Sequence, residues 1–113
     1  MNRNRLLSLF VSNLANVIVH EMLERAIDKP EIVKVYTKEV KNSFEIAKRY
    51  RQKINPIDKV LPSSDIQDLR GRIINKVKAE LNLRKARGYT NINLSFVEES
   101  VDNNLRELGV IAD

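Results

Sequence analysis

The chain has 113 residues, 42% apolar and 31% charged, which sets it among single folded globular domains and outside the disordered class. It has no cysteine, which excludes disulfides and thiolate-ligated zinc or iron–sulfur centres and agrees with a cytoplasmic home. The net charge of +5 is unevenly spread: residues 29–62 carry nine basic groups against four acidic, residues 63–88 seven against three, and residues 89–113 one against five.

The first predicted helix covers about residues 4–27. Leu7, Phe10, Val11, Leu14, Ile18 and Met22 form a wide apolar arc at 100° per residue. Ser8, Ser12, Asn16, His20 and Glu24 fall opposite, yet Leu9, Val19 and Leu23 sit among them. That apolar excess predicts a central helix that also forms a homodimer interface through Leu9, Val19 and Leu23. The basic start followed by an apolar stretch has the outline of a targeting segment, but Ser12, Asn13 and Asn16 interrupt it and no A-x-A-like cleavage site follows. No run approaches the roughly 18 consecutive apolar residues of a bilayer span, so no membrane partner is expected.

Three signatures mark the later helices, each a capping residue three places before Glu or Gln: Asp28 to Glu31, Ser64 to Gln67 and Ser95 to Glu98. The second helix, 30–54, starts at Pro30 and is stopped by Asn55-Pro56. Residues 55–63 form a stiff linker with two prolines. The third helix, 65–87, carries the stripe Ile66, Leu69, Ile73, Val77 and Leu81, with Gly88 as its stop. The fourth, 96–108, turns Val97, Val101, Leu105 and Leu108 inward and ends at Gly109. No stretch alternates well enough to require a sheet. The expected fold is a single all-α domain over residues 1–113, a four-helix antiparallel bundle-like arrangement assembled as a homodimer.

The only histidine lies in His20-Glu21-Met22-Leu23-Glu24. This falls one residue short of the zinc-protease pattern H-E-x-x-H, which needs two imidazoles one turn apart. His20-Glu21-Met22 shares three residues with the phosphoacceptor helices of sensor kinases, but Leu23-Glu24-Arg25 replaces the residues that follow there. Glu21-Met22-Leu23-Glu24 supplies half of the acidic arrangement of helical nucleotide pyrophosphatases, without the second acidic pair nearby. A histidine on a polar helix face beside the i,i+4 carboxylate of Glu24 is the simpler expectation. No cofactor and no metal are expected.

The basic cluster Lys48, Arg49, Tyr50, Arg51 and Lys53 ends the second helix. Lys and Arg neutralise phosphates, and a Tyr face stacks on bases. Helix-end cations also complement the dipole without any ligand. In an up-down arrangement Arg3 and Arg5 join this pole, while Arg84, Lys85 and Arg87 lie at the other. The sequence thus predicts a non-catalytic helical interaction or regulatory module whose basic middle meets nucleic acid or an acidic protein. The alternative is a small metal-dependent or phosphotransfer enzyme centred on His20, Glu21 and Glu24.

Overall fold

A computed structural model describes residues 2–27, 29–56, 59–89 and 91–112. Helix α1 spans Arg3–Ala26, and its free N-terminus is capped by Asn2, whose side chain accepts from the Arg5 amide at 2.8 Å. Eleven of its residues are buried, among them Phe10, Leu14, Val17, Ile18 and Leu23 with no exposed surface. A helix apolar on nearly every side must be covered on nearly every side. The rest of the chain does this, leaving an exposed stripe at Ser8, Ser12 and Asn16. An 18-residue window of α1 is apolar enough to cross a bilayer, but 61% of it is buried inside the chain's own core.

Helix α2, Pro30–Ile54, runs antiparallel to α1. Thr37 donates to Glu24 at 2.8 Å, and Glu39 reaches His20, so the two helices pass each other near their connection. Only Ala47 and Arg51 of α2 are fully buried. Tyr36, Val40, Phe44, Tyr50 and Ile54 pack on the core by one side, as expected of a strongly amphipathic flanking helix. Helix α3, Ser63–Ala86, runs parallel to α1: Arg3 pairs with Asp65, Arg72 with Ser8 and Lys76 with Ser12. Its stripe of Leu69, Ile73, Val77 and Leu81 is fully buried.

A 3₁₀ turn, Leu94–Phe96, leads into α4, Val97–Glu107. Helix α4 lies on the face of α1 and α3 away from the Ser8–Asn16 stripe. Ser100 touches the Met22 sulfur, Asn104 reaches Glu21, and Asp102 makes a two-point pair with Arg70 at 2.8 and 3.1 Å. The fold is an all-α bundle, with α1 in the middle, α2 and α3 on its flanks, and α4 across one open side. The Cα radius of gyration, 14.2 Å, exceeds the roughly 13 Å of a fully compact chain of this length, in keeping with the unfilled side.

The helices stand where punctuation suggests, but the expected caps do not. Ser64 lies inside the first turn of α3, which starts after Pro62 with no side-chain cap. Ser95 lies inside the 3₁₀ turn, and Asn93 caps that turn by accepting from the Ser95 amide and hydroxyl. Asp28 lies outside the described residues. Both stops act as left-handed glycines: Gly88 has φ 106° and Gly109 φ 69°. After each, the next residue donates five places back, Tyr89 to Arg84 at 3.2 Å and Val110 to Leu105 at 2.9 Å.

Val19 and Leu23 are 3% and 0% exposed within the single chain, and Leu9 is half-buried. The apolar excess on α1 is therefore taken up by the chain itself. It gives no motive for a homodimer through these residues.

Candidate functional site

The basic pole is assembled as the up-down order requires, but its members do different things. The start of α1, the end of α2 and the start of α3 meet there. Arg3 is engaged with Asp65, while Arg5, Arg49 and Lys53 are exposed and Lys48 is half-buried. Tyr50 packs partly on the core, and the Lys53 ammonium sits 5.8 Å from its ring centroid.

Arg51 is a correction to the expected surface: it has no exposed area. Its Nε donates to the Leu108 carbonyl at 2.9 Å, and its Nη2 to the Lys59 and Gly109 carbonyls at 2.7 and 2.8 Å. Its Nη1 donates to the Asn55 carbonyl at 3.2 Å and to the Asn55 side chain. All five guanidinium donors are spent. The acceptors include the carbonyls that end α2 and α4, where helix dipoles favour a cation. Burial lowers the Arg51 pKa. This residue locks the pole together and is not available to a ligand.

The longest row of outward cations lies along α2. Lys34, Lys38 and Lys41 recur at helical spacing and continue to Arg49 and Lys53, all exposed. None is within ion-pair distance of a carboxylate among the described residues. The acidic α4 neutralises the α3 side instead, through Asp102 on Arg70. That pair and Glu98 raise the Arg70 pKa, with the Asp102 hydrogen bond the largest cause. The basic slab therefore divides: α3 is partly covered and the outer face of α2 is not. The α2 stripe from Lys34 to Lys41 lies outside the end cluster expected from the sequence. Its signal is plain in the sequence as i, i+4, i+7.

His20, Glu21 and Glu24 do not converge. His20 is 13% exposed at its side chain, and its Nε2 lies 3.4 Å from Glu39 of α2 rather than beside Glu24. Its ring is tilted against Tyr36 with centroids 5.5 Å apart, and its Nδ1 is buried without a partner. Glu24 accepts from Thr37, and Glu21 faces Asn104 of α4. Burial raises the Glu21 pKa, with the Asn104 amide opposing. Among the described residues, no three His, Asp or Glu side chains come together to hold a metal ion.

Burial lowers the His20 pKa from 6.5; Glu39 opposes this and Arg84 adds to it. The folded chain thus binds the proton more weakly than the unfolded chain. The stability linked to His20 is complete above pH 6.5 and is lost as pH falls from there through the folded pKa. One histidine makes the test direct. Its imidazole resonances should titrate below the ordinary value, lower still in Glu39→Gln and higher in Arg84→Gln. A midpoint at or above 6.5 in the parent chain would contradict the buried, neutral imidazole.

Comparison of the chain with protein-family models, with curated proteins and with solved structures gives no match.

Proposed function

We propose that this chain is a non-catalytic helical interaction module that binds an anionic macromolecule, nucleic acid or another polyanion, through the outer face of α2. The observation that carries this reading is the row Lys34, Lys38, Lys41, Arg49 and Lys53, exposed and without carboxylate partners among the described residues. Nineteen residues separate its ends, about 28 Å along a helix. Ordinary solvated faces mix signs at helical spacing. Here α2 offers Glu31 and Glu45 as its only exposed carboxylates besides Glu39, which faces His20. The unpaired row has the charge density to displace counterions from a polyanion.

A short DNA duplex is the generic polyanion for the test. If five cations each neutralise a phosphate, log K should fall against log salt with a slope of about −4.5, roughly a 500-fold loss between 50 and 200 mM salt. Lys34→Gln, Lys38→Gln and Lys41→Gln together should reduce that slope by about 2.7. Lys85→Gln with Arg87→Gln, at the end of α3 and outside the α2 row, should change it much less. Equal losses from both sets, or binding indifferent to salt, would refute the α2 surface.

A further inference from the structure

Helices α2 and α3 flank α1 without closing on each other, and α4 covers the opposite side. Between them runs a groove whose floor is the polar stripe of α1. Three depressions of about 520, 340 and 500 Å³ follow one another along it. The first two share Ser12, Lys76 and Ala79, and the last two share Asn16, so they form one continuous trough. From Ser8 to His20 the floor is about 18 Å long, three helical turns.

The rims also carry aliphatic side chains. Ile46 of α2 lies one turn from Asn42 and Ser43, which line the trough, and Val35 lies one turn before Glu39. Leu83 of α3 follows Ala79 by one turn on the opposite wall. These three are 55% (Val35), 53% (Leu83) and 40% (Ile46) exposed, among the most exposed large aliphatic side chains of the chain. Solvated polar clefts do not need aliphatic rims, whereas a groove that receives the apolar face of a helix does.

We propose that this groove seats one acidic amphipathic α-helix of a partner protein, in the place where a further bundle helix would lie. The inference rests on the anionic-partner reading above and names the class of partner. Charge selects the occupant. Arg72, Lys76 and Arg84 stand on the α3 wall, and the basic row of α2 adjoins the Val35–Ile46 rim. Glu39 and Glu80 are the carboxylates of the trough. A second copy of this chain would bring another net charge of +5, and its acidic α4 is already docked on its own core. Nucleic acid would gain little from the aliphatic rims. The nearby aromatic rings are also engaged, Tyr36 against His20 and Tyr50 beneath Lys53.

The test uses the full chain and three probes at low salt: a helical peptide of about 20 residues with leucines on one stripe and glutamates elsewhere, a shuffled peptide of the same composition, and a short DNA duplex. The striped peptide should bind about tenfold tighter than the shuffled one and shift the His20 imidazole resonances. Ile46→Ser with Leu83→Ser, both neutral and exposed, should erase that tenfold preference while leaving the binding of the shuffled peptide unchanged. Ser12→Trp, which fills the floor, should do the same. If the two peptides bind equally and His20 does not respond, the groove proposal fails while the basic face of α2 stands. Tighter binding of the duplex, insensitive to the rim changes, assigns the partner to nucleic acid and also overturns the proposal. If none of the three probes binds, the anionic-partner reading itself falls.

Discussion

Replacing Arg51 by lysine should destabilise the fold by about 3 kcal/mol even though the charge is kept. The guanidinium joins three segments at once: the end of α2 through Asn55, the linker through Lys59, and the end of α4 through Leu108 and Gly109. An ammonium has three donors and no planar fork, so at least two of the five acceptors lose their partner. Each orphaned group costs about 1–3 kcal/mol. Arg51→Ala removes every one of these bonds and leaves a cavity, and should cost more. Urea unfolding followed by circular dichroism reads the change as a fall in midpoint. A midpoint unmoved by Arg51→Lys would mean that the carbonyls of the pole find other partners and that Arg51 is no lock. Asn55→Ala, which deletes only one acceptor, should have a smaller effect of the same sign.

Leu23→Asp should abolish the folded state, and Leu23→Ala should cost about 2–5 kcal/mol. Leu23 is fully buried by its own chain within the apolar core, where a carboxylate would be desolvated. A residue at a subunit interface behaves differently: its charged variant gives a folded monomer. Thermal unfolding combined with light scattering separates the two. A cooperative, monomeric Leu23→Asp chain formed from a dimeric parent would restore the interface role of α1 and contradict the central placement.

Sequence by itself determined the number and order of the helices. Pro30, Asn55-Pro56, Gly88 and Gly109 act through backbone sterics and missing or freed hydrogen bonds, which need no distant partner. The apolar stripe of α3 and the one-sided amphipathicity of α2 were legible for the same reason: helical periodicity is a local property. So was the division of charge, since it follows from counting.

Tertiary structure alone decided which residues do what at the candidate site. Arg51 reads as one more cation in Lys48–Lys53, yet at this register it turns inward and meets carbonyls from the chain's far end. Its neighbours Arg49 and Lys53 turn out to solvent. Leu9, Val19 and Leu23 look misplaced on a polar face because periodicity assumes one buried side, whereas α1 is enclosed by three helices. His20 takes its carboxylate from Glu39 on α2 rather than from Glu24 one turn away, because the antiparallel hairpin brings Glu39 closer to the imidazole. The groove itself has no sequence signature. It exists because α2 and α3 stand apart on either side of α1 while α4 packs on the opposite face, and such spacing is set by side-chain packing between helices that are distant in the chain.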